Sequence, residues 1–139
     1  MFKTILVPTD FQEKNRGALD VSVRMALWEQ GRVLLLHVIE TIDDAGEGEF
    51  EAFYDRLRKQ AVKKMNDMAA RYTDRQVRID RHIVFGKRVR EIVGFAGEHG
   101  VDVIVLASHK IDPANPVEGW ATLSYRVAIL APCHVLMVK

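Results

Sequence analysis

The chain has 139 residues, 48% of them hydrophobic, a formal net charge of +1 and a single cysteine, Cys133. That length suits one domain, residues 1–139, able to bury its own core, and the charge leaves no global field to draw in nucleic acid or an anionic membrane. One cysteine excludes an internal disulfide and a cysteine-based zinc cluster.

Residues 2–8, FKTILVP, read as a first strand. They lack a signal-peptide pattern, and no apolar run approaches the roughly 20 residues of a spanning helix, so a cytoplasmic location is expected. Ala18, Val21 and Met25 then form a helical stripe, followed by a second strand at 32–39, RVLLLHVI. The acidic stretch 40–50 is a surface loop whose Asp43, Asp44, Glu47 and Glu49 lack the spacing of a calcium loop. A longer stripe (Phe50, Phe53, Leu57, Ala61, Met65, Met68, Tyr72) marks the next helix. Its basic residues, Arg56, Arg58, Lys59, Lys63 and Lys64, interleave with Glu51, Asp55 and Asp67 as a solvated face.

The run 77–85 alternates apolar and polar residues, which predicts an edge strand with one wetter face. Val89, Ile92, Val93 and Ala96 give a third helix. Gly94 and Gly97 inside it each cost about 1 kcal/mol against alanine, for which close packing onto the sheet would be a reason. The nearly continuous apolar run 101–108 predicts a buried strand, Trp120, Leu123, Val127 and Leu130 a last helix, and 134–139 a last strand. Five strand–helix alternations predict an α/β fold: a single open parallel sheet with helices on both faces.

In such sheets a ligand binds beyond the carboxyl ends of the strands, where the strand order reverses. If the first and fourth strands are neighbours, the crevice is walled by VPTD (7–10) and LASHK (106–110). Asp10 then stands at its mouth, either as an acceptor for a ribose hydroxyl or exocyclic amine or as a cap for a helix starting near Glu13. The five histidines show no metal-ligand spacing; His37 and His134 read as packing residues in strands, and His109 lies at the crevice mouth. Ser108 and His109 are adjacent and point apart, so they form no catalytic dyad. Cys133 reads as an inert small hydrophobe.

ILVPTD, LLHV, FGKRVREIVGFAGEHGVDVIVLASH and APCHVLMVK, in that order over nearly the whole chain, resemble the universal stress protein family. The resemblance implies a five-stranded sheet in the order 3-2-1-4-5, of the adenine nucleotide alpha hydrolase-like kind, and a homodimer paired through the C-terminal strand. Many members bind ATP through a Gly-x-x-Gly, nine-residue, Gly-Ser/Thr signature after the fourth strand, whose exposed N–H groups and following helix N-terminus meet the phosphates. Here its glycines fall on Ala107, Lys110 and Ala121, the last followed by Thr122, with ten residues between instead of nine.

The family pattern gives Asp10 and Val38 to the adenosine and Lys110, Ala121 and Thr122 to the phosphates, with Pro8, Thr9, Ala107, Ser108 and His109 also in the site. Gly86 matches a Gly-x-Pro that lines the site, with Arg88 where proline is usual; Arg88 reads as solvent-exposed or as an anion attractor. The leading reading is a cytoplasmic, homodimeric stress-response module with weak or absent ATP binding; the alternative is an adenine-nucleotide binder using the crevice at the ends of strands 1 and 4. No cofactor is firmly implied, ATP or AMP being the candidates. No efficient enzyme is expected, since no metal-holding carboxylate pair with a positioned base is visible, and slow ATPase activity is the remaining enzymatic option.

Overall fold

The apolar runs become β1 (Thr4–Pro8), β2 (Arg32–Glu40), β3 (Arg78–Gly86), β4 (Val103–Ala107) and β5 (His134–Val138). The helical stripes become α1 (Asn15–Glu29), α2 (Glu51–Ala70), α3 (Arg88–Glu98) and α4 (Leu123–Leu130). These come from a computed structural model that describes residues 1–42, 48, 50–108, 113–114 and 122–139. The strands form one parallel sheet in the order β3-β2-β1-β4-β5, as expected.

Side chains alternate across a strand, so each central strand feeds two cores. Ile5, Val7, Val33, Leu35, Val103 and Val105 face Leu19 and Val23 of α1 and Met65 of α2. Leu6, Leu34, Leu36, Ile104 and Leu106 face Ile92, Phe95 and Ala96 of α3 and Val127 of α4. Leu34 and Leu36 are essentially inaccessible to solvent, so truncating either to alanine costs roughly 2–5 kcal/mol. Asp102 Oδ2 accepts the N–H groups of Lys3 and Thr4 at 3.0 and 2.9 Å, fixing the start of β1 beside β4.

β3 lies at the sheet edge with a mixed burial pattern, as its alternation predicted. Four details differ from the sequence reading. The buried face of α1 is Asn15, Ala18, Leu19, Ser22, Val23 and Ala26 rather than the Ala18–Val21–Met25 line. The stripe predicted over Phe50–Tyr72 is buried only in its second half, at Ala61, Met65 and Tyr72, with Ala69 beside them, while Phe53 is exposed. In α4 Val127 is buried but Leu130 is exposed, and Trp120 lies outside the described residues. A Cβ on Gly94 or Gly97 would meet nothing within 4 Å, so close packing does not explain these glycines. The carboxylates Asp43, Asp44, Glu47 and Glu49 lie outside the described residues.

Candidate functional site

β1 stays paired with β2 out to Pro8–Leu36, but its pairing with β4 ends at Leu6–Ile104. Beyond that point the two strands part at the reversal of strand order, and a crevice of about 490 Å³ opens. That is the position at which open α/β sheets bind ligands, and the volume falls in the range of small-molecule sites.

The β1–α1 turn forms one wall. Thr9 N–H donates to Leu36 O at 2.8 Å, keeping the chain against β2 as it leaves the sheet. Thr9 Oγ1 accepts from Phe11 N–H and Asp10 Oδ1 from Gln12 N–H, each at 3.0 Å. These two side-chain turns hold Phe11 at φ 68°, a left-handed conformation that is uncommon for a bulky residue. Asp10 Oδ1 also accepts from Asn15 Nδ2, which donates in turn to Gln12 O. Asp10 is therefore a turn-forming residue through one oxygen. Its Oδ2 makes no hydrogen bond to a described residue and belongs to a side chain lining the crevice. α1 begins at Asn15, two residues later than the sequence suggested.

β2 forms the floor. His37 Nδ1 lies 2.7 Å from Thr9 O, and its ring centroid is 4.3 Å from that of Phe11. A carbonyl only accepts, so Nδ1 carries the proton and, in the neutral ring, Nε2 is an acceptor. Burial pushes the His37 pKa below its ordinary value, with the Arg88 charge adding to it, against the opposing pull of the Thr9 hydrogen bond and the Asp10 charge. His37 is thus a satisfied residue, as the sequence suggested, and also a crevice residue, which it did not.

The backbone of Val38 follows from the strand geometry. Leu36 O faces β1, and Thr41 N–H faces β3, where it donates to Gly86 O at 3.3 Å. Main-chain groups of alternate residues face the same neighbour, so Val38 turns its N–H and C=O toward the side that β1 has vacated. A donor and an acceptor are presented there side by side at the crevice.

The opposite wall is Leu106 and Ala107 of β4 with the start of α4. Ser108 N–H donates to Val138 O at 2.8 Å, and Ser124 Oγ donates to Ser108 Oγ at 3.4 Å. Thr122 Oγ1 lies 3.2 Å from Ser124 Oγ, so two hydroxyls at the first turn of α4 line the crevice. Arg88 and Ile92 of α3 close the rim, with Arg88 Nε 3.5 Å from Glu40 Oε1. Arg88 is half-exposed and lines the crevice while it pairs with Glu40.

Of the residues singled out from the sequence, Pro8, Thr9, Asp10, Val38, Ala107 and Thr122 come together around the crevice. Ser108 is buried behind it. Gly86 sits at the end of β3, apart from the crevice lining; its φ of 149° and the Glu91 side chain packed over it account for the glycine. His109, Lys110 and Ala121 lie outside the described residues. His37, Asn15, Ile92 and Ser124 were missed as lining residues. A histidine one position before Val38 in a strand end was the available signal, and the other three sit inside helices that read only as core. His134, expected in packing, is exposed and touches Phe2 edge-on. Burial raises the Cys133 thiol pKa, consistent with an inert cysteine. No cluster of three or more metal-ligating side chains occurs among the described residues.

An open parallel sheet that reverses its order over such a crevice defines a doubly wound α/β protein, a class that binds its ligands at this switch point. The model of the universal stress protein family matches residues 1–139. Universal stress protein YxiE of Bacillus subtilis is 26% identical over the whole of both chains. Universal stress protein G of Escherichia coli O157:H7 is 31% identical, covering 78% of this chain and 80% of its own. The solved structure of MJ0577 of Methanocaldococcus jannaschii superposes with a TM-score of 0.84 at 31% identity, covering 100% of this chain and 96% of that one. Two more distant structures share the fold. One is a universal stress protein in complex with cAMP (TM-score 0.79, 18% identity, 99% and 97% covered). The other is the Archaeoglobus fulgidus protein in complex with dAMP (TM-score 0.69, 15% identity, 100% of both chains). The chain belongs to the universal stress protein family.

Proposed function

We propose that this universal stress protein is a regulatory module that binds an adenine nucleotide through its adenosine end, and that it works as a homodimer paired along β5 in the cytoplasm. The observation that carries the reading is the open donor–acceptor pair of Val38 beside Asp10. Adenine offers an acceptor at N1 and donors at N6, which match the Val38 N–H and C=O. Guanine offers a donor at N1 and an acceptor at O6, mismatched at both. Each mismatch strands a polar group at about 1–3 kcal/mol, enough for a preference of tenfold or more. Asp10 Oδ2 is the acceptor suited to a ribose hydroxyl. The cAMP and dAMP complexes of distant relatives accord with an adenine ligand.

Asp10 is the one carboxylate among the described residues that line the crevice. Efficient phosphoryl transfer wants metal-holding carboxylates and a placed base, so the module binds and does not turn over its ligand efficiently. With the three signature glycines replaced, ATP binds modestly, with a Kd on the order of 100 μM, about −5.5 kcal/mol. Isothermal titration with adenosine, AMP, ATP and GMP, with and without magnesium, tests this. Adenine compounds binding at least tenfold better than GMP is the expected result. Equal binding of GMP, or no adenine compound binding at millimolar concentration, overturns it.

A further inference from the structure

β3 is the edge of the sheet opposite β5, and it lacks most of the devices that keep an edge strand from pairing. It is nine residues long, stays in register with β2 from Arg78 to Gly86 without a bulge, and holds no proline. Gly86 O faces β2, where it accepts from Thr41 N–H, and main-chain groups alternate sides along a strand. Ile79, Arg81, Ile83 and Phe85 therefore turn their N–H and C=O groups outward, where no partner strand meets them among the described residues.

The side chains of the same four residues point to the α2 side of the sheet. Ile79 and Ile83 pack against the core that holds Met65, and the Phe85 ring lies 5.9 Å from that of Tyr54. Arg81 Nη1 donates to Asn66 Oδ1 at 2.8 Å, and a hollow opens on each side of that contact. One, about 220 Å³, lies between Ala69, Ala70, Val77 and Ile79; the other, about 150 Å³, lies between Val62, Met65 and Ile83. Alternate residues of a strand stand about 6.6 Å apart, so hollows flanking Arg81 are spaced for two alternate side chains of an added strand. At about 30 Å³ per water, each holds several waters that an aliphatic side chain would displace. Neither shares a lining residue with the crevice.

Charge selects the occupant. Arg58 and Arg81 line the hollows, no carboxylate does, and neither arginine forms an ion pair among the described residues. A second copy paired here across a two-fold axis would gather both arginines twice along one seam, which opposes self-pairing. We infer that the outer edge of β3 docks an extended acidic segment of a partner protein. The segment adds as a further strand, seats two alternate aliphatic side chains in the hollows, and sets flanking carboxylates against Arg58 and Arg81. In this mode the main-chain ladder gives affinity and the side-chain hollows give specificity.

The probe is the capped peptide Glu-Thr-Val-Thr-Val-Thr-Glu, whose valines and glutamates share one face, against the same peptide with lysine for both glutamates. Labelled with fluorescein and titrated with the full chain at about 50 mM salt, the glutamate peptide should bind at least tenfold better than the lysine one. Arg58→Glu with Arg81→Glu should reverse that preference; both side chains are exposed, and thermal melting checks the fold. Arg81→Pro also deletes an outward N–H, a change an edge strand tolerates, so it should bind several-fold more weakly than Arg81→Ala. Hydrogen exchange should show the Ile79, Arg81, Ile83 and Phe85 amides protected only when the glutamate peptide is present. No binding at millimolar peptide, equal binding of the two peptides, or a bound peptide that leaves those four amides exchanging freely overturns the inference. If the parent without peptide forms an assembly larger than a dimer that Arg81→Pro dissociates, the occupant is a second copy and the inference falls. Should Arg81→Pro fail to fold, the charge reversal and the amide protection decide between the same outcomes.

Discussion

The His37 ring donates from Nδ1 to the Thr9 carbonyl at 2.7 Å, and this one contact joins the floor of the crevice to the turn that carries Asp10. Burial, with the Arg88 charge adding to it, lowers the ring's affinity for a second proton, against the opposing pull of this same contact. His82 on β3 is likewise pushed down, first by burial and then by the charge of His99, whose ring lies 5.7 Å away.

Both shifts have one consequence for stability. An unfolded histidine takes up its proton near pH 6.5, while these two resist in the folded chain, so the unfolded state binds more protons below that pH. Stability should be full above about pH 6.5 and fall as the pH drops through it. Urea midpoints at pH 7.5 and 5.5 measure the fall. His37→Gln, whose amide still has a donor for Thr9 O, should reduce it, and an unchanged difference in that variant would refute the assignment.

The glycines behave in opposite ways according to what surrounds them. Gly94 sits in the middle of α3 and Gly97 in its last turn, both with open space where a Cβ would go, so Gly94→Ala should stabilise by about 1 kcal/mol and Gly97→Ala by less. Gly31 lies under the chain at Lys3, whose Cα would be 2.7 Å from an added Cβ and whose carbonyl accepts from Arg32 N–H. Gly31→Ala should cost about 1–3 kcal/mol, since backbone must move. Thermal melts of the three variants should rank them on either side of the parent.

The sheet was legible in the sequence because four strands are nearly unbroken apolar runs and the fifth alternates, a distinction that burial enforces. The helices were less so. In α2 the Phe50–Tyr72 line has the right period throughout, but only its second half reaches the sheet, and periodicity carries no information about how far a helix extends past the core. The crevice was half-legible. Asp10 was found from a strand end and Val38 from the family resemblance, whereas the importance of Val38 lies in main-chain groups that no residue type encodes. Asn15 and Ser124 were not singled out at all, because a polar residue on a helix looks like any other until its neighbours in space are known.

Tyr72, at the end of the α2 stripe, donates its hydroxyl to the Asp20 carboxylate of α1. Burial first, and Asp20 second, push its pKa up to about 12. The neutral phenol is therefore the form the fold prefers. Stability from this group should be full below about pH 10 and be lost as the pH climbs from 10 toward 12. Tyr72→Phe should cost about 1–2 kcal/mol at pH 7 by leaving Asp20 short of a donor, and should flatten the alkaline decline relative to the parent. Denaturation at pH 7 and 10.5 for both proteins checks it; parallel declines would count against the Tyr72–Asp20 hydrogen bond as its cause.

β5 closes one side of the sheet, and its outer edge pairs with no other strand among the described residues. Bare apolar edges invite pairing, and a second copy related by a two-fold axis removes both edges at once. The direction of the main-chain groups makes the proposed dimer testable with one residue. Val138 O accepts from Ser108 N–H of the β4 side, so His134, Leu136 and Val138 face β4, and Val135 and Met137 turn their N–H groups outward. Met137→Pro deletes an outward donor while leaving the β4 ladder its own, which an edge strand tolerates. Light scattering at tens of micromolar should give a dimer mass for the parent and a monomer mass for Met137→Pro, with adenosine binding retained because the crevice lies on the far side of β4. Leu136 is 40% exposed, and Leu136→Lys should weaken the dimer as an independent check by placing like charges across the two-fold axis. A monomeric parent, or a Met137→Pro variant that stays dimeric and folded, would remove β5 as the pairing edge.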